Sequence, residues 1–375
     1  MSLAEVRKLG PFFLFAGAGP GELAACRFPS PYTGRIRLEG LGLTQDPYSG
    51  GKKSLEVAMA KEKRILIAVD GSNESFGATM YVARHWAPAQ LKVTLMHVMR
   101  AVPELFWDLE KQAAFKQKLK ERHREWVDHT TQAAEEFLVK AKKILTDANI
   151  PEKHVTINLQ QARKGVARDL ITESKNGYDA IVLGRRGLSS LQAPFLGSVA
   201  TKIIERAHDV AVWLVGGYPQ APNILLAVDC SENAASAVNY VGGFAARSDA
   251  KITMFHVIRA LEPTFQELFS MHAQEVDAFM DQLGAETQVM FKRYRDILTN
   301  HGIQDDRITS KNVTQASSRA ASVLHEARSA GYGTVVMGRR GLSRVYGFLT
   351  GRVTNKVLHQ AEGLALWICP ANPEE

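Results

Sequence analysis

Three features of this 375-residue chain predict an α/β architecture of two consecutive open parallel-sheet domains, each covered by helices on both faces. Short apolar runs of the kind buried on both sides of a sheet alternate with longer segments of helical period. The order then starts again after residue 222, so that Asp70 and His97 find counterparts in Asp229 and His256, each 159 residues on. In each half a late strand ends in a glycine-bearing loop that leads into a helix. Strands and helices alternating at these spacings call for right-handed crossovers and therefore parallel strands.

Taken in order, residues 1–60 are rich in Gly, Pro and Ser, hold no sustained period of 2 or 3.6, and are expected to add nothing to a core. Residues 23–26 (LAAC) look like a lipoprotein cleavage box, but Pro20, Gly21 and Glu22 interrupt its approach. Export is therefore disfavoured; the working protein is expected to begin at Met59, leaving an extension that is either untranslated or disordered. The first domain is placed at 61–217, a linker at 218–222, the second domain at 223–371 and a tail at 372–375.

Residues 65–69 read as the first strand, ending at Asp70 and a turn. Ser75 is the expected cap of the helix that follows, with Met80, Val82, Ala83 and Trp86 apolar before Pro88 stops it. Residues 91–99 form a second strand, 104–148 a long charged helix, 155–159 a third strand and 165–175 a short helix. The fourth strand, 178–183, carries the glycine loop, and a helix over 197–207 and a fifth strand over 210–215 complete the unit. In the second half 223–229 and 251–258 copy the first two strands, while its glycine loop lies only 154 residues after the first, a shortening that loops tolerate. Residues 211–215 (AVWLV) and 364–368 (LALWI) leave apolar edges that pairing would hide, which predicts a pseudo-two-fold arrangement of the two domains.

The net charge of +7 is spread among interspersed acids, with no basic stripe interleaved with aromatics, which argues against nucleic acid. Three cysteines lack disulfide or zinc spacing and suit a reducing compartment. No apolar run approaches the roughly 20 residues that span a bilayer, so no membrane partner is expected.

In an open α/β sheet, ligands sit beyond the carboxyl ends of the strands where connections diverge. Asp70, Val98 and Gly184 should reach that edge. Glycine lets a backbone approach a phosphate closely and take positive φ, and Gly197 opens a helix whose free N–H groups favour an anion, with the Ser198 hydroxyl as a further donor.

The combination strand-G-x2-G-x9-G-[ST]-helix, behind an LIAVD strand and present in both halves, resembles the universal stress protein family in its tandem form. The resemblance covers residues 61–370 and implies a Rossmann-like, adenine nucleotide α-hydrolase-like fold whose glycine loop binds ATP, with or without Mg²⁺. It implies that Ala68, Val69, Asp70 and Val98 line the adenine and ribose side, and that Gly184, Gly187, Gly197, Ser198 and Val199 hold ribose and phosphates. The second half matches at Ala227, Val228, Asp229, Val257, Gly338, Gly341, Gly351 and Val353. There Arg352 replaces the hydroxyl residue of the pattern: its guanidinium either pairs with a phosphate or fills the pocket. Thr354 offers a hydroxyl two positions on. Tighter binding is expected in the first half.

Several residues carry structural alternatives. His97 and His256 read as strand histidines rather than bases. Arg185-Arg186 and Arg339-Arg340 either steer a nucleotide or are solvated loop residues. Asp70 and Asp229 either help hold Mg²⁺ or bond to nucleoside or the adjacent turn, the latter being the safer assignment. Cys230 reads as inert, and the aromatics at 106–107 and 265–271 as packing faces or partner grooves. No Walker, GxSxG, HExxH, SGGxDS or HxGH signature is present. The expected activity is that of a cytoplasmic, ATP-binding stress-response sensor or adaptor acting on a protein partner, as a monomer or weak dimer. A nucleotide-independent scaffold and a slow ATPase or self-phosphorylating enzyme are its rivals.

Overall fold

The computed structural model describes residues 62–87, 91–100, 116–188, 196–260, 272–339 and 351–370. The expectations for the N-terminal extension, for 104–115, for both aromatic clusters, for Arg340 and for Gly341 lie outside them.

The first half runs β1 (Lys63–Ala68), α1 (Asn73–Trp86), β2 (Leu91–Met99), α2 (Lys116–Asp147), β3 (Val155–Gln161), α3 (Val166–Ser174), β4 (Ala180–Gly184), α4 (Ser198–Arg206) and β5 (Ala211–Val215). The second repeats it as β6 (Ile224–Ala227), α5 (Glu232–Ala245), β7 (Ile252–Arg259), α6 (Ala273–Asn300), β8 (Ile308–Ala316), α7 (Arg319–Ser329), β9 (Thr334–Gly338), α8 (Arg352–Gln360) and β10 (Ala365–Cys369). One expected cap moves. Ser72, not Ser75, caps α1, its side chain accepting from Ser75 N at 3.2 Å, because Gly71 at φ +81° turns the chain ahead of it. Ser231 caps α5 in the same way.

All strands join one ten-stranded sheet in the order β3-β2-β1-β4-β5-β10-β9-β6-β7-β8. Each half is parallel throughout, and the halves meet where β5 and β10 pair antiparallel with Trp213 opposite Trp367. Each predicted apolar edge thus covers the other. Alternation along the strands sends Ile65 and Ile67 into a core shared with α1, α2, α5 and α6, and Leu66 into a second core under α3, α4, α7 and α8. Both cores run across both halves. The connection at 216–222 is fixed in place: Gly216 N donates to Leu364 O at 3.0 Å, Gly217 N to Glu74 Oε2 at 3.3 Å, and His85 Nε2 lies 3.1 Å from Pro219 O.

Candidate functional site

β1 lies between β2 and β4; its chain leaves towards α1 on one face, whereas β4 leads to α4 on the other. The crevice between the ends of β1 and β4 is therefore a topological switch point, the position where open α/β sheets take ligands.

Asp70 closes one side of it. Its Oδ1 accepts from Ser72 N at 3.0 Å and from Ser72 Oγ at 2.5 Å, while Oδ2 accepts from Leu188 N at 3.2 Å. One carboxylate thus ties the turn after β1 to the glycine loop after β4. Gly187 passes so near this carboxylate that a Cβ would overlap Asp70 Oδ2. In the second half Asp229 Oδ1 accepts from Ser231 N at 3.1 Å.

Gly184 and Gly338 have a packing role that the sequence did not suggest. Neither has positive φ. A Cβ on Gly184 would stand 2.7 Å from the carbonyl carbon of Glu74, and one on Gly338 2.8 Å from Asn233 O. Both glycines let a strand end pass against the first turn of α1 or α5. Gly197, at φ −63°, has room for a Cβ, its nearest contact being Arg185 O at 3.4 Å.

Gly197 and Gly351 are the N-caps of α4 and α8, and neither supplies a side-chain cap. Neither N-cap therefore offers a side-chain oxygen to the first-turn amides that a helix leaves without intrahelical partners. Ser198 and Arg352, at the first helical position, are exposed. Thr354 is buried and its hydroxyl donates to Gly338 O at 3.1 Å; it is not available as a substitute for the missing serine.

Ala68 and Val98, expected on the base side, and Val199, expected on the ribose and phosphate side, lie in the core under α3 and α4, and Ala227, Val257 and Val353 lie in the same core in the second half. Val69 and Val228 do not join them: their side chains turn into the opposite core. Val69 N donates to Met96 O at 2.9 Å and its carbonyl accepts from His97 Nδ1 at 2.7 Å. Val228 is held identically by Phe255 O and His256 Nδ1, at 2.9 and 2.7 Å. Both histidines are thus strand clamps, and burial lowers their pKa values below the ordinary range. A carbonyl accepts only, so Nδ1 carries the proton.

Two of the loop arginines, Arg185 and Arg339, do not stand in solvent. Arg185 and Arg339 are 2% and 0% exposed, and each bonds to helix carbonyls in the other half. Arg186 pairs with Glu362 at 2.9 Å, also across the halves. The sequence did carry a signal for this: GRRGLS is retained in both halves while the residues from 190 and from 344 diverge. Among the described residues, no group of three or more His, Cys, Asp and Glu side chains is placed to hold a metal ion, and no helix is long and apolar enough to cross a membrane.

The chain matches the model of the Universal stress protein family over residues 62–215 and again over 221–363. It is similar to a universal stress protein of Mycolicibacterium smegmatis, 27% identical over 317 residues, covering 81% of this chain and 96% of that protein. One from Mycobacterium tuberculosis is 24% identical over 310 residues, covering 80% and 95%. A solved structure of a universal stress protein from Archaeoglobus fulgidus aligns with a TM-score of 0.50 at 16% identity, over 83% of this chain and 97% of that one, a likeness of fold alone.

Proposed function

The chain belongs to the universal stress protein family, and from that premise we propose that its first half binds an adenine nucleotide, ATP in particular, and that the protein acts in the cytoplasm as a nucleotide-dependent stress-response sensor or adaptor. The observation that carries this reading is the first turn of α4, to which the Gly197 N-cap offers no side-chain oxygen, beside the exposed Ser198. Unpaired amides at a helix N-terminus suit a phosphate. Gly184, Gly187, Gly197, Ser198 and Val199 would hold the phosphates and ribose, and Ala68, Asp70 and Val98 the nucleoside. Val69 would contribute through strand geometry, since both of its main-chain groups are engaged. Bound nucleotide would supply a charged tail that draws the glycine loop and α4 together. A partner that distinguishes this form from the free one would read the change.

In the second half Ala227, Val228, Asp229, Val257, Gly338, Gly341, Gly351, Arg352 and Val353 occupy the matching positions. The missing hydroxyl at position 352 and the engaged Thr354 favour weaker binding there. A nucleotide-independent scaffold is the rival reading of the whole protein.

Ser198→Asp tests the proposal because it separates folding from binding. A carboxylate at the first position of α4 favours the helix by about 0.3–1 kcal/mol but repels a phosphate. Calorimetric titration of the full chain with ATP should show one tight site, weakened about ten-fold or more in the variant, with the melting temperature unchanged or raised. Unaltered ATP affinity in Ser198→Asp would overturn the placement of the phosphates.

A further inference from the structure

Arg185 and Arg339 occupy equivalent places in the two glycine loops, and each reaches into the opposite half. Arg185 donates from Nη1 to Leu358 O at 2.7 Å and from Nη2 to His359 O at 2.6 Å. Arg339 donates to the carbonyls of Ile204 and Ala207. These four carbonyls lie at the C-terminal ends of α8 and α4, where helical partners are lacking and a cation is favoured by the dipole.

The same two helices begin at the candidate phosphate sites. α4 opens at Gly197 and α8 at Gly351, and each has nine residues, a rod of about 14 Å. The backbone of each arginine also holds its own cleft: Gly197 N donates to Arg185 O at 3.0 Å, and Gly351 N donates to Arg339 O at 2.9 Å. Arg185 is therefore bonded at once to the N-cap of the first cleft and to the tail of the helix that opens the second. Arg339 makes the mirror-image connection. The partly exposed Arg186–Glu362 pair follows the first path but is expected to add little.

We propose that Arg185 and Arg339 are crossed positioning residues: each orients, from one half, the helix whose first turn recognises the phosphate in the other. The two clefts are then coupled, because a ligand that draws Gly197 towards itself moves the carbonyl of Arg185 and, through its guanidinium, the C-terminal end of α8. Occupation of one half alters the other half's readiness to bind, and the effect is reciprocal in free energy. This rests on the reading of the glycine loops as nucleotide-phosphate sites, although the crossed mechanical link stands without a ligand.

Hydrogen exchange followed by mass spectrometry on the full chain, with and without ATP, tests it in Arg339→Gln and Arg185→Gln. In Arg339→Gln, faster exchange is expected in α4, in the half that does not carry the substitution, and the ATP concentration that half-protects residues 197–200 should rise about five-fold or more. Arg185→Gln should act likewise on α8. Arg339→Lys, which keeps the charge but has no planar fork to span two carbonyls, should fall between wild type and Arg339→Gln, and it serves as the readout if the glutamine variants do not fold. Exchange that quickens only in the substituted half, or evenly over both, overturns the proposal. If the wild type shows no protection by ATP, the nucleotide reading fails; the ligand-free exchange pattern then still upholds or overturns the crossed link.

Discussion

A single missing Cβ decides more at the site than any charge does. At Gly184 and Gly338 a strand end meets the backbone of α1 or α5, at 2.7 and 2.8 Å from where a Cβ would sit. Backbone cannot yield as a side chain can, so Gly184→Ala and Gly338→Ala should each destabilise the chain by about 1–3 kcal/mol. Gly284, within α6, meets nothing within 4 Å, and Gly284→Ala should instead stabilise by about 0.5–1 kcal/mol. Urea denaturation of the three variants checks this, and a Gly184→Ala protein as stable as wild type would refute the packing account. Asp70 is the other residue on which local order turns. Asp70→Ala frees the Ser72 and Leu188 amides together and should quicken exchange at Leu188 well beyond what a surface substitution does.

Among the elements, β1 and β6 share a device that periodicity cannot reveal. Each strand end is fastened by a histidine of the neighbouring strand, His97 on Val69 O and His256 on Val228 O. Burial lowers both pKa values, as it lowers those of His85 and His301. The unfolded chain, with histidines near pKa 6.5, therefore binds more protons than the folded one at and somewhat below that pH. Stability rises with pH through this window, is fully present above about 6.5, and is lost as pH falls towards the folded values. Denaturation curves between pH 7.5 and 5, where no carboxylate has yet fully titrated, are expected to show this slope (about 6.5 marking its onset), and it should flatten in the His97→Gln/His256→Gln double variant.

For the whole molecule, a cluster of aromatic rings fills the joint between the halves. Trp213 and Trp367 stack with centroids 3.9 Å apart and planes 3° from parallel, and Trp86, Phe244 and Tyr240 close around them. Tyr81 of the first half reaches Thr334 of the second at 2.7 Å, and Trp213 Nε1 donates to Tyr240 OH at 3.0 Å. Burial raises the pKa of both tyrosines, and Tyr240 OH in turn donates to Asp179 O at 3.1 Å. Because both cores are continuous across the joint, the halves should unfold in one cooperative transition. Trp367→Ala should lower its free energy by about 3–5 kcal/mol. Two separate transitions in the wild type, by calorimetry and by tryptophan fluorescence, would contradict a shared core.

The order of elements, the duplication, the open edges at β5 and β10 and the family resemblance were all legible in the residues, because burial writes its period into the chain and a repeated unit writes it twice. The start of α1 was misplaced by three positions, since Ser72 and Ser75 are equally good capping residues and only the turn at Gly71 chooses between them. Which side of the sheet Val69 faces, why Gly184 lacks a side chain, and above all where Arg185 and Arg339 go were decided by tertiary structure alone. An arginine in a glycine loop looks the same in sequence whether water, a phosphate or a helix end receives it. Its partners here lie 173 and 174 residues away for Arg185 and 135 and 132 for Arg339, and only the antiparallel meeting of β5 with β10 brings those carbonyls within reach.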